Sequence, residues 1–194
     1  PEYMRATQMT GQMARFYGLP LRSSGVCAAN VPDGQAMWET SNSLWAAVQS
    51  GSNMVYHAAG WLEGGLIASP EKFLMDCEIL QQIQSYMDPN LVATGAQEIA
   101  LDSIKSVGND GHFFGTAHTQ ERYSTAFYQP FLSEWNNFEG WEASGALWTP
   151  ERAHALYLQI LAEFEPPALE ISRRDALADF VARRKSEGGA ATDF

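Results

Sequence analysis

Six side chains combine a reactive type with a suggestive position: Arg22, His57, Trp61, Glu63, His112 and His118. His57 follows the short apolar run Met54-Val55-Tyr56 and precedes Ala58-Ala59-Gly60, Trp61, Leu62, Glu63 and Gly64-Gly65. This order predicts a strand, a βα loop and a helix. Loops at the C-terminal ends of strands are where α/β proteins hold ligands. An imidazole there either orients the loop as a neutral, hydrogen-bonded group or meets a ligand. By strand alternation Tyr56 points the other way and reads as packing. Arg22 ends the string Leu19-Pro20-Leu21-Arg22, where an exposed or ion-paired guanidinium is the ordinary outcome. Trp61 and Trp38 are either core or the walls of a cage for a cation. Glu63 is the carboxylate that the same loop offers a site. Asp76 and Glu78 cannot share a helix face at a separation of two, so they read as caps or bridges to the loop and not as an acid–base pair.

His112 and His118 invite a metal reading, but a separation of six is not a usual ligand pair and no cysteine accompanies them. They fit equally well as buried anchors of an irregular, glycine- and aromatic-rich loop, or as groups facing a partner. A metal-dependent hydrolase built on His57, His112 and His118 is one reading of the chain.

Positioning these residues requires particular elements. A helix is expected over 1–17, with Ala6, Met9, Met13 and Phe16 on one face, stopped by Gly18 and Pro20. A short strand then covers 19–24. Asp33 caps a helix over 34–49, with Met37, Ser41, Leu44 and Val48 inward, and a second strand covers 53–57. Ser69 as N-cap, Pro70 at the first helical position and Glu71 in the first turn start a helix over 70–87. Its expected buried face is Phe73, Cys77, Leu80, Ile83 and Met87. The helical crossovers are long enough for parallel strands. Beyond Pro89 the pattern becomes mainly helical, with a short helix at 97–106. A clean apolar stripe of Ala153, Leu156, Tyr157, Ile160, Leu161 and Phe164 follows Thr149-Pro150-Glu151. A final helix opens at a capping-box pattern of Ser172 and Asp175. Two strands do not make a stable sheet covered on both faces.

Composition sets outer bounds. The chain has 194 residues, 45% hydrophobic, with a formal net charge of -11. That balance argues against nucleic acid and anionic membrane surfaces as partners. Arg183-Arg184-Lys185, the dense basic cluster, ends a predicted helix, where cations suit the dipole. No apolar run is long enough to span a bilayer. With no secretory leader read at the start and no metal or redox spacing between Cys27 and Cys77, the expectation is a cytoplasmic protein with reduced thiols.

Several strings resemble the trimethylamine:corrinoid methyltransferase family. They are His57-Ala58-Ala59-Gly60-Trp61-Leu62-Glu63-Gly64-Gly65, Ser69-x-Glu71-Lys72-Phe73, Asp76-x-Glu78, and Gly111-His112-Phe113-Phe114-Gly115-Thr116-Ala117-His118-Thr119. Pro130, Trp141-Glu142, Glu151-Arg152-Ala153 and Phe180-Val181-x-Arg183-Arg184 continue the match. The resemblance implies an α/β fold: the C-terminal part of a (β/α)8 TIM barrel. Residues 1–88 would supply the last two strands with their helices, and 89–194 a mainly helical extension packed on the same barrel, whose N-terminal part lies outside this chain. It also implies transfer of a methyl group from an amine to Co(I) of a corrinoid (cobalamin) carried by a cognate corrinoid protein. The pyrrolysine position of the founding members falls near Gly25–Pro32, which holds only standard residues here. The chain therefore resembles the non-pyrrolysine branch, acting on glycine betaine or another small quaternary amine. Within that resemblance Arg22 would bind the donor's carboxylate, His57 would face cobalt, and Trp61 and Glu63 would line the donor site. His112 and His118 would face the corrinoid or its protein, and no metal ion is expected to be held by the chain itself. A homo-oligomer, or contact with the rest of the barrel, would bury the cut surfaces. The alternative is a non-catalytic fragment or scaffold retaining a docking surface for the corrinoid protein.

Overall fold

The computed structural model describes residues 1–88 and 99–188. Helix α1 (Glu2–Tyr17) stops at Gly18, whose left-handed backbone (φ 66°) turns its N–H onto the carbonyls of Ala14 and Arg15. Strand β1 (Arg22–Ser24) follows, then helix α2 (Gly34–Gln49). The Asp33 carboxylate caps α2 by accepting from the Ala36 N–H. Strand β2 (Met54–Tyr56) lies parallel to β1, so β1, α2 and β2 form one crossover unit. Gly11 is dictated by a close approach: a Cβ there would sit 2.3 Å from the Ser50 carbonyl oxygen at the end of α2. Arg15 donates to that same carbonyl, and Gln8 bonds Gln49 at 3.1 Å, so α1 is clamped across the end of α2.

The segment after β2 departs from the expected open βα loop. Strands β3 (Trp61–Leu62) and β4 (Ile67–Ala68) pair antiparallel, Trp61 with Ala68 and Leu62 with Ile67, around a tight turn at Glu63–Gly65. Helix α3 (Pro70–Tyr86) then begins as expected, with the Ser69 hydroxyl accepting from the Lys72 N–H. Its buried face is Lys72, Leu74, Met75, Asp76, Glu78, Ile79 and Ile83. Of the expected face of Phe73, Cys77, Leu80, Ile83 and Met87, Ile83 is buried and Leu80 packs half-buried on the same cluster, whereas Phe73 and Met87 are 51% and 55% exposed, so the face is turned by about one residue. The apolar count misled because three of the buried residues are charged and satisfied internally. Helix α2 has the same character: Ala36, Thr40, Ser43, Leu44, Ala46 and Ala47 are buried, while Met37, Ser41 and Val48 are half-buried.

The core is divided. Leu44, Ile79 and Ile83 join Val55 and Ala58 between α2, α3 and β2. Cys27, Ala29, Ala36 and Leu62 pack beneath the hairpin. Leu74, Met75, Leu132 and Ala153 tie α3 to the C-terminal segments. Those segments are helices α4 (Leu101–Val107), α5 (Ala117–Arg122), α6 (Phe138–Ala143) and α7 (Thr149–Ala162). Residues 97 and 98 of the expected helix at 97–106 lie outside the described residues. Glu78 fastens the irregular stretch between α5 and α6: its carboxylate accepts from the N–H groups of Phe131 and Leu132 and from the Ser133 hydroxyl.

The chain divides into two units, Pro1–Gln159 and Ile160–Phe194. In the second, helix α8 (Ile171–Ser186) is exposed along its described length and carries an Arg184–Glu187 pair at 2.8 Å. Its N-cap is Glu170, with no side-chain bond, and Ser172 lies inside the first turn, so the expected Ser172–Asp175 capping box does not form. No helix among the described residues is long and apolar enough to cross a membrane.

Candidate functional site

The parallel pair fixes which side chains share a face. Arg22 stands opposite Met54, Ser23 opposite Val55, and Ser24 opposite Tyr56. With strand alternation, Ser23 and Val55 lie on one face and Arg22, Ser24, Met54 and Tyr56 on the other. Ser23 is buried and Val55 packs on the core between the helices. The other face is open: Met54 is 55% and Tyr56 47% exposed.

Arg22 opens β1 instead of ending the strand. Pro20 has no N–H to give, and the Leu21 N–H goes to the Asn53 side chain at 2.9 Å, so the regular strand starts one residue later. The long side chain recovers the distance. Its guanidinium carbon lies 4.4 Å from the centroid of the Tyr56 ring, at the C-terminal end of β2. Among the described residues the guanidinium donates no hydrogen bond and forms no ion pair, which leaves its planar fork free for an anion.

His57 follows directly in a left-handed conformation (φ 49°), uncommon for any residue but glycine. The close contact of strand ends holds it. The Gly25 N–H donates to the Tyr56 carbonyl at 3.0 Å, and a Cβ on Gly25 would meet the His57 carbonyl oxygen at 3.0 Å. The exposed imidazole packs edge-on against Trp61, centroids 5.2 Å apart at 86°, and lies 5.9 Å from the Tyr56 ring. Arg22, Tyr56, His57 and Trp61 thus form one continuous row. Tyr56, expected to be packing, is its central member. No ring contact joins Trp38 to Trp61 among the described residues, and Trp38 is 61% exposed.

Glu63 works locally. Its own backbone is left-handed (φ 51°), its N–H donates to the Ala29 carbonyl at 3.1 Å, and its carboxylate accepts from the Asn30 amide at 2.7 Å. The Gly64 N–H reaches the Cys27 carbonyl at 2.8 Å. The hairpin turn is thereby strapped to residues 27–30. Glu39 holds the same segment from α2, accepting from the N–H groups of Ala28 at 2.7 Å and Ala29 at 3.0 Å and from Gln35 at 2.9 Å. Burial alone would raise the Glu39 pKa. The hydrogen bonds from Gln35, Ala28, Ala29 and the Cys27 thiol outweigh it and hold the carboxylate below its ordinary range. A folded pKa below the unfolded value of about 4.3 means stability present above that pH and lost as the pH falls through the lower folded value. Glu39→Gln is therefore expected to lower the melting temperature at pH 7, and the gap from the parent should narrow steadily in melts taken below about pH 4.

A buried charge pair lies under the row. The Lys72 ammonium meets both carboxylate oxygens of Asp76 and donates to the Thr40 hydroxyl at 2.8 Å. Lys72, Asp76 and Thr40 are all within 1% of full burial. Asp76 also accepts from the Gly60 N–H at 2.9 Å, fixing the turn between His57 and Trp61. Burial pushes the Asp76 carboxyl above its ordinary value, against the opposing pull of Lys72 and the Gly60 N–H. The assignment of Asp76 and Glu78 to bridging roles agrees with these contacts. The sequence signal for the pair was the i,i+4 spacing of Lys72 and Asp76.

His112 and His118 stand apart from the row. His112 is exposed against Phe114, centroids 5.5 Å apart, and His118 is half-buried in α5 with its carbonyl accepting from Arg122. No hydrogen bond or ring contact links either to His57 among the described residues. Nor do the described residues contain a group of three or more His, Cys, Asp or Glu placed to hold a metal ion. The metal-hydrolase reading therefore has no site there. Cys27 and Cys77 are free thiols, and burial raises both.

The profile of the trimethylamine methyltransferase (MTTB) family matches residues 1–189. The chain belongs to that family. Among its relatives, glycine betaine methyltransferase of Desulfitobacterium hafniense (strain Y51) is 38% identical over 190 residues, which is 97% of this chain and 39% of that protein. A trimethylamine methyltransferase of Desulfitobacterium hafniense (strain DSM 10664 / DCB-2) is 29% identical over 98% of this chain and 38% of the relative. One from Methanosarcina mazei is 27% identical over 97% and 38%. The chain spans about two fifths of the length of these trimethylamine methyltransferase family members.

Proposed function

We propose that this chain is the C-terminal part of a (β/α)8-barrel methyltransferase that takes a methyl group from a small quaternary amine, glycine betaine or a close analogue. The methyl acceptor is a second substrate: a corrinoid held by a partner protein, whose Co(I) supplies the nucleophile. The observation that carries the reading is the open face of the β1–β2 pair. It presents a guanidinium without an ion-pair partner among the described residues, beside a row of rings, on the side a closed barrel would turn inward. The higher identity to a protein named for glycine betaine than to those named for trimethylamine supports the betaine choice.

Each residue then has a physical task. Arg22 pairs with the donor carboxylate through its planar fork. Trp61 walls the donor at the strand exits, and the exposed imidazole of His57 faces the cobalt of the docked partner. When the methyl group leaves, the electron pair of the C–N bond stays on nitrogen and gives a neutral tertiary amine, so no general acid is required. The enzyme's remaining work is alignment and exclusion of water. His112, on the preceding loop, and His118, in α5, are assigned to the partner-facing surface. The cytoplasm is the compartment in which such a reaction belongs.

The test is methylation of a Co(I)-corrinoid protein by the complete enzyme with a panel of quaternary amines, followed by visible absorbance. Transfer from glycine betaine is the expected result, and its absence with every donor in the panel would overturn the proposal. His57→Ala is expected to slow transfer from all active donors by about 10- to 100-fold, with donor KM changed less than about threefold. Unimpaired turnover would return His57 to a purely structural role.

A further inference from the structure

We propose that Tyr56 is a positioning residue that holds the Arg22 guanidinium toward the donor's carboxylate and so sets the preference for carboxylated amines. This rests on the carboxylate role of Arg22 given above. The two residues are diagonal neighbours: Tyr56 faces Ser24, two positions along the strand from Arg22. The guanidinium crosses that diagonal to lie 4.4 Å from the ring centroid. An arginine on an open face has little to fix it. A long flexible side chain with no ion pair samples many rotamers, and a ligand must bear the entropy of ordering it.

The ring removes that freedom without using up the donors. Stacking engages the π face of the guanidinium, whereas a carboxylate is bound by its N–H edge. Other arginines here show the contrast. Arg152 spends its N–H groups on the carbonyls of Leu132 and Leu147 and on the Thr149 hydroxyl, and Arg122 pairs with Glu121. The Arg22 guanidinium carbon lies over the Tyr56 ring, and among the described residues its N–H groups donate no hydrogen bond. Tyr56 itself is held by the adjacent imidazole of His57, 5.9 Å away, and by the Gly25 N–H bond to its carbonyl. The backbone at Tyr56 is thus fixed by the Gly25 bond, and its ring lies between the guanidinium of Arg22 and the imidazole of His57.

The experiment is steady-state kinetics of the complete enzyme with glycine betaine and with tetramethylammonium, the latter read as a competitive inhibitor if it is not turned over. Tyr56→Leu is expected to raise the glycine betaine KM about 3- to 30-fold, with kcat within about twofold and the tetramethylammonium constant unchanged. Tyr56→Phe keeps the ring and should stay within about twofold of the parent. In the Arg22→Ala background, Tyr56→Leu should add nothing further, because a residue acting through Arg22 has no effect once Arg22 is gone. Equal weakening of both ligands would mean that the ring contacts the ammonium directly, which overturns the proposal. So would a full additional loss in the double variant. If Tyr56→Leu does not fold, a fluorinated phenylalanine series at position 56 keeps the shape and withdraws π density. The glycine betaine KM should climb with fluorination, and a flat series would overturn the proposal. Arg22→Ala without effect on glycine betaine defeats the clamp itself. An effect there with none in Tyr56→Leu defeats only the present inference.

Discussion

Arg22→Ala in the complete enzyme is expected to lower kcat/KM for glycine betaine by about 30- to 1000-fold, on the order of 2–4 kcal/mol. The size follows from what is left behind. In the closed barrel proposed above, this face, open in the present chain, would be partly enclosed, and without Arg22 the donor carboxylate would keep its desolvation cost and lose its charged partner. A surface pair would be worth at most about 1 kcal/mol, so the measured loss also reports how enclosed the face becomes in the whole protein. Because the guanidinium has no ion-pair partner among the described residues, its removal leaves no protein carboxylate stranded, and the fold should be little affected. The decisive reading is selectivity. Donors with a carboxylate should lose the full amount and tetramethylammonium almost nothing. Arg22→Lys should recover only part of the loss, since an ammonium is a point charge without the planar fork. Equal losses for donors with and without a carboxylate would remove Arg22 from substrate recognition.

How this site could be read from sequence depends on which kind of signal each residue carries. The β1–α2–β2 unit was legible because its punctuation is local: Gly18 and Pro20 before β1, Asp33 at the head of α2, Ser69-Pro70 at the head of α3. Each of these acts on backbone within a few residues of itself and needs no distant partner. The hairpin of β3 and β4 was not legible, because two-residue strands leave no alternation to count. It is held by long-range contacts, Glu63 and Gly64 with residues 27–30, that no local pattern encodes. Tyr56 was assigned by alternation to packing on the side away from His57, but the strand ends at Tyr56 and the left-handed backbone of His57 (φ 49°) breaks the alternation, leaving the two rings 5.9 Å apart. The error was in which face is covered. The pattern of one strand does not say which of its faces is covered, so Tyr56 was read as packing and stands open beside Met54. The buried face of α3 was missed for the opposite reason. Lys72, Asp76 and Glu78 are charged, and a count of apolar residues turns them outward.

That buried pair supports the second large expectation. Asp76→Ala should destabilise the protein by about 3–5 kcal/mol, and Lys72→Ala by a similar amount, because each leaves a fully buried charge without its partner. Against the roughly 5–15 kcal/mol that holds a typical domain together, this is a loss of between about a fifth and the whole. The pair is not expected to be a net source of stability. Burial raises the Asp76 carboxyl in the folded state, so the sign of the linkage is that this group favours folding as pH falls and opposes it as pH rises through the raised value. Replacing both residues, as Lys72→Met with Asp76→Leu, should therefore recover most of the loss seen in either single variant. The double replacement cannot recover the hydrogen bond from the Gly60 N–H. Gly60 sits at φ 84°, with Phe73 so close that an added Cβ would lie 3.1 Å from its side chain, so the turn has little room to find another acceptor. The double variant should fold with near-parental thermal stability yet hold the turn between His57 and Trp61 loosely, with faster amide exchange at Gly60. Transfer should slow in proportion. Parental kinetics in a stable double variant would show that the pair serves packing alone. Stability as low as that of the single variants would show that the surrounding core cannot accept apolar side chains in place of the pair.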